Sequence, residues 1–252
     1  MAAATGTENR ALTLLGNKPM LAYVTDALKA APTVGRILVV GDVPDSTDYT
    51  VVPGRETLMD NLLAGLEARG SAEGRVLIAT SDIPFLTPEA AEDFLERASA
   101  LNADFCYPIV PLARCAAQFP AMKRTGLKLR EGAFTGGNLI LLRPEVILAH
   151  RETVMKAYAA RKKVTQIGAM LGWGLLARIV VAQTFAPGVL TLAQLERGVA
   201  GLLGPGATAR AVITDYAEIG TDVDKPDDVV LARQWVAEQG RSTPTPGPSP
   251  TA

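Results

Sequence analysis

Apolar residues along this chain fall into short unbroken runs that alternate with helical faces. Val76, Leu77, Ile78 and Ala79 form one such run, the pattern of a strand covered on both faces of a parallel sheet. Arg36-Ile37-Leu38-Val39-Val40, closing in Gly41-Asp42, and Leu139-Ile140-Leu141-Leu142 repeat it, and 209–214 reads as a further strand. Between them lie helical spacings. Leu21, Val24, Leu28 and Ala31 share a face behind Pro19, and Leu58, Leu62 and Leu66 share another. Thr87-Pro88-Glu89 opens a helix with a cap residue, Pro at the first position and an acid in the first turn. Pro144-Glu145 opens a long helix predicted to run to Arg161-Lys162-Lys163, Thr191 and Gln194 form a capping box, and a last helix closes at Gly240. Strand and helix in alternation predict βαβ units, right-handed crossovers and a parallel sheet.

Three stretches break the rhythm. In 103–111, Pro108 interrupts an extended pattern, which predicts an edge or irregular strand. In 123–130, Leu127 and Leu129 alternate with Lys128 and Arg130, as on a half-exposed strand. The stretch 164–186 is mostly apolar, but Gly168, Gly172, Gly174, Gln166 and Arg178 interrupt it. A membrane span needs about twenty continuous apolar residues. A buried or groove-lining helix is predicted instead, with peripheral contact to a membrane surface or a lipid-linked substrate left open. The expected organisation is one domain over 1–240, with a helical insertion at about 144–204. The Pro/Ser/Thr-rich 241–252 is expected to be a disordered tail.

With 252 residues and 48% hydrophobic content the chain can build a large core. With 25 basic and 26 acidic residues the charge is nearly balanced, and nothing in it suggests a general affinity for nucleic acid or an anionic membrane. Cys106 and Cys115 have neither zinc nor redox spacing and read as reduced core thiols, which predicts a cytoplasmic protein. MAAATGTENR carries no apolar run of the signal-peptide kind. His150 is the single histidine, so mechanisms built on a Ser-His or Cys-His pair have one candidate base and are discounted.

Asp82 follows the Val76 to Ala79 strand directly, at the end where open α/β sheets bind their ligands. A metal or sugar contact would account for it, and so would a simple turn before Pro84. Asp222 and Asp224 form a second acidic turn before the last helix, where Asp227 and Asp228 fit helix capping and Asp224 fits either role. If the two strands sit side by side, both turns face one crevice. Single acids from separate loops suit a magnesium ion completed by water and phosphate oxygens, hence phosphoryl or nucleotidyl transfer. Arg10, Lys18, Arg124, Lys128 and Arg130 are candidate partners for a triphosphate, and Gly136-Gly137-Asn138 is either a tight turn or a place of close approach to sugar or phosphate.

Taken in order, Asn17-Lys18-Pro19-Met20, Val52-Pro53-Gly54 with Asn61, Ser81-Asp82-Ile83-Pro84, Thr135-Gly136-Gly137-Asn138 and Asp222 to Asp228 resemble the molybdenum-cofactor guanylyltransferase-like NTP transferases. The resemblance runs from about Asn9 to Trp235. It implies a three-layer, Rossmann-like α/β fold of the GT-A nucleotide-diphospho-sugar transferase type, a mostly parallel sheet with helices on both faces. It implies transfer of an NMP from an NTP to a small phosphorylated or hydroxylated acceptor, with release of pyrophosphate. It implies Mg2+ on Asp82 and Asp224, with Lys18 beside them as a catalytic group. Arg10 and Lys18 would bind phosphate, Pro53, Gly54 and Asn61 would lie near the base, and Gly136, Gly137 and Asn138 would lie on the acceptor side. Family members open with an apolar strand and a Gly-rich loop around the triphosphate, and MAAATGTENR offers neither. A start upstream of Met1 or a degenerate relative would account for this, and the intact remainder favours the first. The lost strand would be central, leaving two neighbours with unpaired backbone. The alternatives are a non-catalytic nucleotide- or sugar-binding relative and a GT-A glycosyltransferase. Against the latter, the mid-domain position reads Ser81-Asp82-Ile83-Pro84 and not Asp-x-Asp.

Overall fold

A computed structural model describes residues 9–70, 74–160, 166 and 170–242. Ten strands are present among these: β1 Leu14–Leu15, β2 Lys18–Pro19, β3 Leu38–Val40, β4 Thr50–Val52, β5 Val76–Ala79, β6 Phe105–Pro111, β7 Leu127–Leu129, β8 Gly132–Gly136, β9 Leu139–Leu142 and β10 Ala209–Ile213. The helices are α1 Met20–Ala30, α2 Leu58–Ala68, α3 Pro88–Ala100, α4 Leu112–Gln118, α5 Pro144–Ala149, α6 Arg151–Ala160, α7 Trp173–Thr184, α8 Leu192–Leu203 and α9 Pro226–Ser242. The α/β class holds.

The main sheet has six strands, and β6 is its centre. β10 pairs parallel along one edge of β6. Along the other edge, β9 pairs with Phe105 and Cys106, and β8 pairs with Ile109 to Pro111. β8 and β9 are thus one extended run broken at Gly137-Asn138. β5 and β7 flank that run on its far side. Strands β5, β6, β7 and β10 point one way and β8 and β9 the other, so the sheet is mixed, with most neighbours antiparallel.

The edge strand expected at 103–111 is therefore the central one. Proline is tolerated because of where it falls. The Pro108 carbonyl accepts from Gly137 N at 2.8 Å, which puts the nitrogen of Pro108 on the same edge, at the break between β8 and β9. No ladder partner is deprived of a donor there.

Side chains on the apolar strands alternate between two helical layers. Leu77, Ala79, Cys106, Leu139 and Leu141 pack with α1 and α3 through Val24, Leu28, Phe94 and Leu95. Val76, Ile78, Phe105, Ile140 and Leu142 face Leu66, Ile147 and Leu203 from α2, α5 and α8. The predicted helix starts hold: Thr87 accepts from Ala90 N before Pro88, and Thr191 and Gln194 make the reciprocal capping box. The long helix predicted from Pro144 breaks at His150, giving α5 and α6, and Arg161 to Lys163 lie outside the described residues. The predicted tail from 243 onward also lies outside them. In 164–186, α7 is mostly exposed, with only Ala182 buried, so of the buried or groove-lining helix expected there the buried alternative does not form. No helix among the described residues is long and apolar enough to cross a membrane.

β3 and β4 form a separate parallel pair. Among the described residues, the outer edge of β5 and the free edge of β3 have no strand partner. All four residues of β5 are in consequence only partly buried, although both its faces are covered.

Candidate functional site

Asp82 leaves the end of β5 in a turn that α3 follows closely. Asp222 and Asp224 arrive by a different route from the one anticipated. Their strand, β10, is not beside β5, because β6 and β9 lie between. After β10 the chain instead crosses those two strands through a short 3-10 turn, Ala217–Gly220. Thr214 N donates to Ile109 O at 3.0 Å at the start of the crossing, and Val223 N donates to Asp82 O at 2.8 Å at its end. The far acids are thereby tied to the Asp82 turn by backbone.

Three further groups hold the crossing segment. Asn138 donates to Ile219 O twice, through its backbone N at 2.9 Å and its Nδ2 at 3.1 Å. The buried Glu218 carboxylate accepts from Thr87 Oγ1 at 3.3 Å and from Gln118 Nε2 at 3.4 Å. Thr221 Oγ1 donates to Ala217 O at 2.8 Å. Asp228 Oδ2 accepts from the backbone of Asp224 at 3.2 Å and of Lys225 at 2.9 Å, the capping role its position suggested.

One carboxylate oxygen from each of Asp82, Asp222 and Asp224 comes to lie within 4.8 Å of the others. Arg10 reaches over two of them, with Nη1 at 3.4 Å from Asp82 Oδ2 and in direct contact with Asp224 Oδ1. Arg124 engages Asp222 through its carboxylate and, at 3.4 Å, through its carbonyl. Asp82 Oδ1 is buried and has no hydrogen-bond partner among the described residues. A buried carboxylate oxygen without a donor is costly unless a cation completes it, so this set of acids fits a hard divalent cation.

A cleft of about 430 Å3 at the β3–β4 pair is lined by Asn9, Gly41, Gly54, Asn61 and Ser81 among others, and Asn9 and Ser81 are the chain neighbours of Arg10 and Asp82. Asn9 caps the turn carrying Arg10, accepting from Ala11 N at 3.1 Å, and donates to Asp42 O at 2.7 Å. Asn61 Oδ1 accepts from Arg55 N at 2.6 Å. Gly54 lies against Gly41, where an added Cβ would sit 3.1 Å from the Gly41 Cα.

The structure thus brings together Asp82, Asp224 and Arg10, and it places Gly54 and Asn61 in the adjoining cleft beside the exposed Pro53. Lys18 bonds elsewhere. Its Nζ is 2.8 Å from Asp26 Oδ2, and that hydrogen bond and charge hold its pKa above the ordinary lysine value. Gly136 and Gly137 need no ligand to account for them. A Cβ at Gly136 would collide with the Tyr107 hydroxyl, and one at Gly137 would sit 2.7 Å from both Ile219 Cγ2 and Pro108 Cγ. With Asn138, Gly137 positions the crossing segment. Residues 1–8, with no Gly-rich loop in their sequence, lie outside the described residues.

Sequence reasoning treated Asp222 as part of an acidic turn and overlooked it as a third member of the cluster. Its separation of two from Asp224 was the available signal. Asn9 and Ser81 gave none beyond standing next to Arg10 and Asp82. Across the sheet, a second, apolar cavity of about 650 Å3 is lined by Tyr107, Ile109, Phe134 and Leu195 among others. Burial pushes the Tyr107 phenol above its usual pKa.

A family model described as the MobA-like NTP transferase domain matches residues 3–170, and the chain belongs to that family of nucleotidyltransferases. A 2-C-methyl-D-erythritol 4-phosphate cytidylyltransferase from Streptomyces coelicolor is 34% identical over 119 residues, 41% of this chain and 44% of that protein. The match thus spans under half the length of that relative. Among solved structures, a hypothetical transferase from Thermus thermophilus superposes with a TM-score of 0.80 at 36% identity, over 90% of this chain and 93% of its own. The 2-C-methyl-D-erythritol 4-phosphate cytidylyltransferase of Thermus thermophilus matches with a TM-score of 0.51 at 17% identity, over 90% and 94% of the two chains. A CMP:2-keto-3-deoxy-manno-octonic acid synthetase complexed with CTP matches with a TM-score of 0.53 at 14% identity, over 91% and 92%. At these identities the last two show a shared fold.

Proposed function

We propose that this chain transfers an NMP from an NTP to a small phosphorylated or hydroxylated acceptor. An acceptor oxygen attacks the α-phosphorus, the bond from that phosphorus to the bridging oxygen breaks, and pyrophosphate leaves. The observation that carries this reading is the meeting of Asp82, Asp222 and Asp224 within 4.8 Å.

Asp222 is committed to Arg124, so Asp82 and Asp224 are the pair that would hold Mg2+. The ion, when bound, neutralises phosphate charge and so favours a pentavalent transition state. Arg10 now occupies the acids. With a cation there, its guanidinium is released to pair with triphosphate oxygens, a planar donor matched to phosphate. Lys18 joins it only by leaving Asp26. Gly54 and Asn61 line the part of the cleft that suits the nucleoside, and Gly137 and Asn138 act by holding the acids in place.

The test is pyrophosphate release from each of the common NTPs, with and without Mg2+, against a panel of sugar phosphates and polyols. CTP comes first because the relatives are named for cytidylyl transfer. Pyrophosphate formed only with an acceptor and a divalent ion, and lost in Asp82→Asn, is the expected result. Nucleotide binding without turnover would instead make the chain a binding protein, and release of a nucleoside diphosphate from a nucleotide-sugar would make it a glycosyltransferase.

A further inference from the structure

Two arginines meet the acid cluster, and they are held differently. Arg10 and its partner Asp224 are half open to solvent, with side chains 43% and 54% exposed. Arg124 and Asp222 are only 19% and 14% exposed. Arg124 grips Asp222 through its carboxylate and, at 3.4 Å, through its backbone carbonyl, and Asp222 is its only hydrogen-bond partner among the described residues. The Nε of Arg124 is buried and has no partner there. Parting this pair would leave two sequestered charges uncompensated, which is far costlier than parting an exposed pair.

The segment that carries Arg124 is itself fixed. Phe119 and Met122, between α4 and β7, are buried. The Phe119 ring lies 4.8 Å from that of Phe85, which stands in the same turn as Asp82. Beyond Arg124, a Cβ on Gly126 would lie 2.4 Å from the Phe134 carbonyl oxygen, so the chain is pressed against β8 at that point. Arg124 is thus a fixed charge beside the acids, and Arg10 a movable one. The three aspartates bring three negative charges, and the fixed guanidinium reduces them to two, the charge that one divalent ion neutralises.

We propose that Arg124 is a specificity-determining residue of the ion site, a built-in counter-charge that suits the acids to one divalent ion and disfavours a more highly charged one. The proposal rests on the cation site assigned above to Asp82 and Asp224. Repulsion between the guanidinium and a bound ion grows with the charge of the ion, so it falls harder on a trivalent ion than on a divalent one. Arg10 does not serve in this way, because its exposed pairs give way to the ion.

Competition between Tb3+, read by its luminescence, and Mn2+, read by electron paramagnetic resonance, tests this on the full chain without nucleotide. Arg124→Met is expected to raise the preference for Tb3+ over Mn2+ at least about tenfold above the parent's. Asp222→Asn keeps the guanidinium and removes an acid, so it is expected to lower that preference by a similar factor. The double variant Arg124→Met/Asp222→Asn has the parent's charge and should show the parent's preference to within about threefold. Mere loosening of the site would weaken both ions together and leave their ratio unmoved. A ratio in Arg124→Met at or below the parent's would overturn the proposal. If that variant does not fold, a double variant no better for Tb3+ than Asp222→Asn would overturn it equally. A parent that binds neither ion would overturn the cation site and this inference with it, whereas a parent that binds both, with a ratio indifferent to these substitutions, would overturn the inference alone.

Discussion

Replacing Gly137 by alanine perturbs the acid cluster without touching an acid. The added Cβ would lie 2.7 Å from Ile219 Cγ2 and from Pro108 Cγ, where carbon contacts normally rest at about 3.5–4.0 Å. Both neighbours must therefore retreat by about 1 Å. Ile219 is fully buried and has no solvent to retreat into. Relief must come from parting the Gly137-Asn138 break from the crossing segment, which lengthens the two bonds from Asn138 to Ile219 O. Overpacking of this kind costs about 1–3 kcal/mol, and loss of one of those bonds adds about 1 kcal/mol. Urea unfolding should show a lower midpoint with an unchanged slope. Because the same segment carries Asp222 and Asp224, Mn2+ titration followed by electron paramagnetic resonance should show weakened binding as well. Gly136→Ala is the control. Its Cβ meets the Tyr107 hydroxyl on the opposite face of the sheet, so it should lose stability and keep its Mn2+ affinity. Gly137→Ala with the parent's urea midpoint and the parent's Mn2+ affinity would refute this account of the glycines.

Other substitutions probe the charges and the thiols. Arg10→Ala should raise Mn2+ affinity in the absence of nucleotide by about two- to thirtyfold, since it removes a half-exposed competitor whose two pairs are worth about 0.2–1 kcal/mol each, and it should weaken NTP binding, both read by titration. Lys18→Ala should lower stability by less than about 1 kcal/mol, because the pair with Asp26 is half exposed; a larger fall in thermal midpoint would contradict that placement. Cys106 and Cys115 are buried, and burial pushes both thiols above their ordinary pKa. Both should stay protonated and resist alkylation near pH 8 in the folded protein and react on unfolding, with rapid labelling of native protein as the contrary result.

Local chemistry was the most legible part of this chain. Thr87-Pro88-Glu89 and Thr191 with Gln194 start helices as read, since a cap depends on residues within one turn. The apolar strands were found because their side chains serve two helical layers at once. Pro108 misled the reading of β6, because a proline excludes a central strand only when a partner needs its N–H. Whether one does was decided by the Gly137-Asn138 break, about thirty residues away in the sequence. The exposure of α7 was equally hidden, as an apolar run looks the same whether it faces a core or a surface. In the site, Asp82 and Asp224 were legible as acids in strand-to-helix turns. Their meeting was expected from neighbouring strands and arises from a segment that crosses two strands to reach Asp82. Lys18 shows the limit of motif reasoning, since its ammonium went to an acid eight residues away. Gly136-Gly137 reads equally as a tight turn or as room for a ligand, and protein atoms fill that room.

The central claim is that Asp82 and Asp224 jointly hold one divalent ion. Mn2+ binding counted by electron paramagnetic resonance in the parent, Asp82→Asn and Asp224→Asn, each with a saturating NTP, measures it most directly. The account predicts one protein-dependent ion in the parent and its loss in both variants. Undiminished binding in either variant would contradict it.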